Sequence, residues 1–117
     1  MDRFEKIERE QAVQGLVDVL DSRLLTALAE PARIELLKVL VLHGRQDVAG
    51  VAAKLPQHRS VISRHLGILH EAGLLTRHKV ERNVYYELDG GACVGKFRDM
   101  LEKVEAMVRV CCPPAEA

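Results

Sequence analysis

Aromatic residues are scarce in this chain, which has no Trp, two Phe and two Tyr among its 117 residues. Its core must therefore be packed mainly from aliphatic side chains. No apolar run approaches the roughly 20 residues that a membrane-spanning helix needs, so we expect no membrane association and a cytoplasmic location. Proline and glycine are sparse, and there is no low-complexity tract or internal repeat. The length suits a single domain, residues 1–117.

The chain also lacks a net charge, because its 17 Lys/Arg balance its 17 Asp/Glu. The charges are nevertheless unevenly placed. Residues 31–83 contain nine Lys/Arg and four Asp/Glu, whereas the two flanking segments together contain eight and thirteen. A basic middle within a neutral chain is typical of a domain that presents one surface to DNA.

Apolar residues at helical spacing predict a series of helices up to residue 73. Residues 1–29 form either one long helix or two helices joined near Asp21–Ser22, and they suit dimerisation. Pro31 at the first turn and Gly44 at the end bound the next helix. Its expected buried residues are Ile34, Leu37, Leu40 and Val41. Asp47 caps a third helix that ends at Pro56, with Val48, Val51, Ala52 and Leu55 as its inner residues.

The helix predicted from His58 to Gly73 has two chemically different faces. Ile62, Leu66 and Leu69 lie on one face, whereas hydroxyls, an arginine and a glycine occupy the other. Such a polar face can bond phosphates and base edges, although an ordinary solvated face is the alternative. Helix, tight turn and helix over residues 31–73 is the geometry of a helix-turn-helix. Its DNA-contacting residues are predicted to be Gln57 in the turn and His58, Arg59, Ser60, Ser63 and Arg64.

From residue 74 to 88 the apolar period changes to two, which predicts a β-hairpin with its tip at Glu81–Arg82–Asn83. Arg77, Lys79 and Arg82 lie near the tip, where they can reach a phosphate backbone. A hairpin directly after the second helix makes the fold a winged helix-turn-helix, mainly α with a small β-hairpin. Because Glu81 takes a positive φ only at a cost, we expect a wider or more mobile tip.

A last helix is predicted over residues 91–112, after the break at Gly90–Gly91. Its apolar residues recur three and four apart, at Val94, Phe97, Leu101, Val104, Val108 and Cys111. A domain of this size has little use for apolar stripes on both terminal helices unless a second subunit covers them. We therefore expect a homodimer that pairs through its N- and C-terminal helices and binds double-stranded operator DNA with two-fold symmetry.

Several segments together resemble the ArsR/SmtB family of bacterial winged-helix repressors. They are ALAEPARIELLKVL, VAAKL, SVISRHLGILHEAGLL and NVYYEL, and the similarity spans about residues 24–88. The resemblance implies a homodimer that represses transcription and leaves its operator when a metal ion, metalloid or oxidant binds. By position it adds His65 to the helix residues that face DNA. The His65 ring either contacts a base or packs against the preceding helix.

The metal sites familiar in that family are absent from this chain in their usual form. Asp47 and Ala49 stand where the family's Cys-x-Cys pair would be. The positions of its second site hold Gly90, Ala92, Lys103 and Ala106. A zinc or nickel site of the familiar kind is therefore not expected.

The cysteines are Cys93, Cys111 and Cys112, an odd number that argues against a disulfide framework. Cys112 precedes a proline, which disfavours helical backbone and lets both adjacent sulfurs turn toward one soft ion such as As(III). Cys93 is a doubtful third ligand, because eighteen residues of helix span roughly 27 Å. A thiol redox switch at Cys111–Cys112, or no sensory role for the cysteines, are the alternatives.

Other functional classes fit the sequence less well. There is no Gly-rich phosphate loop and no Ser, His and Asp spacing that indicates a nucleophile with its base, so we expect no enzyme. A winged helix that binds protein would not need so many cations on one surface, which here are Arg59, Arg64, Arg77, Lys79 and Arg82.

Overall fold

The computed structural model describes residues 2–20 and 22–112. In chain order they form α1 (Arg3–Leu20), α2 (Arg23–Leu28), α3 (Pro31–His43), β1 (Gln46–Asp47), α4 (Val48–Ala52), α5 (Arg59–Glu71), β2 (Leu75–Val80), β3 (Asn83–Leu88) and α6 (Gly90–Cys111). The chain, which we expected to be one domain, divides into two compact units. One unit contains α1 and most of α6, and the other contains residues 23–93.

The ends of α3 follow local rules that are visible directly in the sequence. Glu30 is the N-cap residue, and Pro31 occupies the first turn, where a missing N–H costs nothing. Gly44 ends the helix with φ of 75°, and its N–H donates to the Leu40 carbonyl at 2.9 Å. Both predicted boundaries are confirmed.

The buried face of α3 agrees with the prediction only at Leu40. Leu36, Val39 and Leu40 are buried, whereas Val41 is 63% exposed. Ile34 and Leu37, which we also predicted to be buried, are only partly covered. Apolar residues occur almost all round α3, so periodicity alone could not choose its inner side. That side is set by packing against α2, α5 and β3.

The core of the residue 23–93 unit surrounds α5. Ile62, Leu66 and Leu69 have no exposed surface, as predicted, and Val51 of α4 is also fully buried. α4 is shorter than expected, because it ends at Ala52 rather than at Pro56. A turn through residues 53–58 then leads into α5.

The sheet contains one strand more than the sequence indicates. β3 lies in the centre, antiparallel to β2 on one side and to β1 on the other. β1 has only two residues, Gln46 and Asp47, which pair with Tyr86 and Tyr85. From the sequence this segment is predicted to be a polar link, since two residues are too few to show an alternating pattern.

The terminal helices form the other unit, and neither α1 nor α6 has a buried residue. The large apolar side chains exposed on them are Phe4, Ile7, Val13, Val17, Leu20, Val94, Phe97, Leu101 and Val108. Of the two arrangements allowed for residues 1–29, the structure has two helices. Asp21, at the predicted junction, lies outside the described residues. α6 begins at Gly90, one residue earlier than predicted, and Asp89 caps it by accepting the Ala92 N–H at 3.0 Å. None of the helices described is long and apolar enough to cross a membrane.

Candidate nucleic-acid interface

The first two turns of α5 present an exposed polar surface. Arg59, Ser60, Ser63 and Arg64 are all exposed, whereas Ile62, Leu66 and Leu69 of the same helix are buried. No carboxylate among the described residues forms a salt bridge with Arg59 or Arg64. Their guanidinium groups therefore remain available to an external anion. We call these four exposed residues the α5 polar face.

His58 holds the N-terminus of α5 in place. Its ring Nδ1 accepts the Ser60 N–H at 3.1 Å and lies 2.9 Å from the Ser60 Oγ. The ring thus takes the capping role that Ser, Thr, Asp or Asn usually performs. A neutral ring that accepts at Nδ1 carries its proton on Nε2, so His58 has one N–H left to donate outward.

Gln57, predicted to contact DNA from the turn, is partly buried. Its Oε1 has no exposed surface and no hydrogen-bond partner among the described residues. This acceptor therefore points into the protein rather than toward an external ligand.

His65 contacts α3 rather than lying on the α5 polar face. Its half-buried ring has Nδ1 at 3.4 Å from the Arg33 Nη1. Burial and, secondly, the positive charge of Arg33 lower the pKa of His65. Of the two roles that the sequence left open for His65, packing against the preceding helix fits this geometry better than a base contact.

Arg33 is a structural residue that the sequence pattern did not reveal. Its Nε donates to the Ala27 carbonyl at 2.7 Å, and its Nη2 donates to the Thr26 carbonyl at 3.1 Å. One side chain therefore joins the end of α2 to α3 and to His65 of α5. Only its place in the PARIELL segment, two residues after Pro31, indicated such a role.

The wing, defined as β2, β3 and the turn between them, carries the other predicted cations. Arg77, Lys79 and Arg82 are all exposed. Arg77 and Lys79 alternate with Thr76 and His78, so the two cations share one face of the strand. Arg82 occupies the tip.

The tip of the wing is narrower than predicted. Val80 pairs with Asn83, so the turn contains only Glu81 and Arg82. Glu81 takes a positive φ of 55°, a conformation that favours glycine. A positive φ at the first of two turn residues is a feature of the type II′ hairpin. The strands pair as far as Val80 and Asn83, so the loop stays at two residues and Glu81 adopts the positive φ.

A polar cluster on the other face of the wing was not predicted. Glu87 accepts from Arg45 at 3.1 Å and lies 3.0 Å from His78 Nε2. The bond from Arg45 is the main cause that lowers the pKa of Glu87. The cluster links the chain just before β1 to β3. No local sequence pattern signalled this cluster, because Arg45 and Glu87 are 42 residues apart.

The three cysteines occupy different environments. The Cys93 thiol lies 3.8 Å from the Leu74 carbonyl and is half-buried. At the end of α6, the Cys111 and Cys112 sulfurs are 2.9 Å apart, and the Cys111 thiol donates to the Met107 Sδ at 3.3 Å. The bond with Cys112 is the main cause that raises the pKa of Cys111. Within the described residues, no group of three His, Cys, Asp or Glu side chains could hold a metal ion.

Comparison with known proteins identifies the family. The bacterial regulatory protein family arsR matches residues 30–77. The arsenical resistance operon repressor of Escherichia coli (strain K12) is 34% identical over 98 residues, covering 78% of this chain and 84% of that repressor. The cadmium resistance transcriptional regulatory protein CadC homolog of Staphylococcus aureus is 30% identical over 88 residues, covering 75% of this chain and 71% of that protein.

Solved structures agree with these similarities. One described as a possible transcriptional regulator for arsenical resistance is 35% identical, with a TM-score of 0.59, and covers 81% of this chain and 98% of its own. An ArsR-like transcriptional regulator from Rhodococcus sp. RHA1 is 24% identical, with a TM-score of 0.62 and coverage of 85% of this chain and 94% of its own. The family resemblance and the winged-helix fold inferred from the sequence are thereby confirmed. The chain belongs to the arsR family of bacterial regulatory proteins.

Proposed function

We propose that the protein is a cytoplasmic, homodimeric transcriptional repressor that binds operator DNA and is released by an inducer. The α5 polar face carries this proposal. It lies at the N-terminal end of the second helix of a helix-turn-helix, the part that enters the major groove in such folds. Arg59 and Arg64 would bond base edges or phosphates there, and the cations of the wing would bind the adjacent backbone.

DNA binding is tested with a duplex selected from a random library by the wild-type chain. Loss of a base-reading arginine costs about 1–3 kcal/mol, so we expect Arg64→Ala combined with Arg82→Ala to weaken binding by about ten-fold or more. Loss of a phosphate contact also lowers the slope of log affinity against log salt by about 0.9. The matched control is Arg98→Ala with Lys103→Ala, which removes two exposed cations from α6. Wild-type affinity in the Arg64/Arg82 variant would contradict the proposal.

Dimer formation is supported by the apolar surface of the terminal helices. α1 and α6 bury none of their residues, and Phe97 and Leu101 are 47% and 57% exposed. A second copy of the chain would cover that surface. We expect sedimentation at twice the chain mass for the wild type and a shift toward monomer for Leu101→Glu, with Glu102→Gln as the control. A monomeric wild type at micromolar concentration would contradict the proposed dimer.

The inducer is proposed to bind the sulfur pair at Cys111 and Cys112. The two sulfurs are 2.9 Å apart, and both lie at the accessible end of α6. The relatives named for arsenical and cadmium resistance support a thiophilic ion, with arsenite the first to test. Arsenite should release the wild-type chain from the selected duplex but leave Cys111→Ser with Cys112→Ser bound. Peroxide tests the redox alternative, in which it should weaken DNA binding of the wild-type chain and dithiothreitol should restore that binding. Release of the double variant by arsenite would exclude the cysteine pair.

A further inference from the structure

The end of α6 brings three sulfur atoms together, not two. Met107 and Cys111 are four residues apart, so their side chains lie on the same side of the helix one turn apart. The Met107 Sδ lies 3.3 Å from the Cys111 Sγ, which in turn lies 2.9 Å from the Cys112 Sγ. Met107 and Cys111 are half-buried, whereas Cys112 is exposed, so the cluster is open on one side.

The third sulfur determines which ions this cluster suits. A thioether is a neutral, soft donor, and soft Cys and Met ligands favour Cu(I), zinc and iron–sulfur clusters. Of these, zinc is held by Cys, His and carboxylate ligands rather than by Met, and no such group of three exists among the described residues. As(III) is a thiolate binder and would gain little from Met107.

We propose that Met107, Cys111 and Cys112 form a binding site for a soft monovalent metal ion of the Cu(I) class, with the Met107 thioether as its third ligand. The inference rests on the proposed role of the cysteine pair as the inducer site, and it names the class of ion. Binding is a ligand exchange without change of oxidation state. Two thiols release their protons to solvent, and two thiolates and one thioether coordinate one cation, which leaves the site with a net charge of −1.

The two sulfur–sulfur contacts that involve Cys111 need only a small adjustment to hold the ion. With metal–sulfur bonds of about 2.3 Å, the sulfurs of a trigonal site lie about 4 Å apart. The two observed contacts would therefore open by roughly 1 Å each. Cys112 can supply this movement because it follows the last residue of α6. Met107 can supply it through its three rotatable side-chain bonds.

The test is a Cu(I) titration of the full-length reduced chain under anaerobic conditions, in competition with bicinchoninate. We expect one Cu(I) per chain for the wild type and no tight binding for Cys111→Ser with Cys112→Ser. Met107→Leu nearly conserves volume and should leave the fold intact. It should weaken Cu(I) binding by about ten-fold or more, as loss of even a supporting metal-site group often does. Met100→Leu, a half-buried methionine two turns earlier on α6, is the control and should bind like the wild type.

Arsenite binding to the same variants provides the second arm. Met107→Leu should bind arsenite as the wild type does, because a thioether adds little to a thiolate-bound As(III). Equal Cu(I) affinity in the wild type and Met107→Leu would overturn the inference. Operator release is measured separately. If Cu(I) binding depends on Met107 but DNA stays bound, the metal site stands and the inducer assignment fails. If arsenite releases DNA and Met107 affects neither ion, the inducer assignment stands and the Cu(I) site is refuted.

Discussion

Replacement of Arg33 by alanine should destabilise the fold more than the loss of any exposed ion pair. α2 has only six residues, too few for a helix that is stable by itself, so its position depends on tertiary bonds. Arg33 supplies two of these through its bonds to the Ala27 and Thr26 carbonyls. A hydrogen bond from a charged donor contributes about 1.5–3 kcal/mol when partly buried, and we count the exposed bond to Thr26 at about 0.5 kcal/mol. The expected loss is therefore about 2–3.5 kcal/mol of the free energy of unfolding.

The measurement is urea unfolding of the full chain followed by circular dichroism, at equal protein concentration for every variant because a dimer's stability depends on it. Arg33→Lys should recover part of the loss, since an ammonium can reach one carbonyl but lacks the two-pronged geometry of the guanidinium. Arg45→Ala is the control. Its ion pair with Glu87 is 44% and 37% exposed, so it should cost less than about 1 kcal/mol. If Arg33→Ala costs no more than Arg45→Ala, the structural role assigned to Arg33 is wrong.

The pKa of His65 provides a second, independent readout of the same contact. Burial lowers this pKa most, and the neighbouring charge of Arg33 lowers it further. Removal of the guanidinium should therefore raise the pKa of His65 toward 6.5, which NMR of the imidazole C–H protons would detect. A pKa that stays the same or falls in Arg33→Ala would contradict the 3.4 Å contact between the two side chains.

Three further predictions concern single residues of the same unit. Asp47→Ala removes the cap that accepts the Gly50 N–H at 2.8 Å, and it should cost about 1 kcal/mol in urea unfolding, whereas Asp47→Asn should cost less. Glu81→Gly relieves a positive φ and should raise the free energy of unfolding by up to about 1 kcal/mol, whereas Glu81→Ala should bring no such gain. Because the pKa of His65 is lowered on folding, the unfolded chain binds more protons below pH 6.5, so stability falls as the pH drops through that range. His65→Gln should flatten this dependence, and an equally steep loss in His65→Gln would show that another group causes it.

The sequence predicted well those parts of the fold that are encoded locally. The apolar spacing of Ile62, Leu66 and Leu69 in α5 coincides with complete burial. Pro31, Gly44 and Asp47 marked helix ends because each satisfies a local backbone requirement. A wing with period-two alternation was equally visible, since each strand is six residues long.

Features that depend on distant residues were not predictable in the same way. β1 exists only because Gln46 and Asp47 meet β3, about 40 residues further along the chain. The buried side of α3 is determined by its packing against α2, α5 and β3, because its own sequence is apolar on nearly every side. The positive φ of Glu81 depends on the pairing of Val80 with Asn83, which fixes the turn at two residues. In each case the deciding interaction is absent from the local sequence pattern.

The structure also narrows the proposed DNA-contacting set, because some of its members have structural roles. His58 uses Nδ1 to cap α5, His65 lies against Arg33, and the side-chain Oε1 of Gln57 is buried without a hydrogen-bond partner among the described residues. An atom that is bonded within the protein or buried in it cannot also contact a base. Sequence discrimination is therefore expected to come from Arg59, Ser63 and Arg64, whose side chains are exposed. The capping bond of His58 stabilises the N-terminal end of α5, from which those three side chains project. Substitution of His58 should accordingly weaken binding to all DNA sequences alike, whereas substitution of Arg64 should change which sequence is preferred.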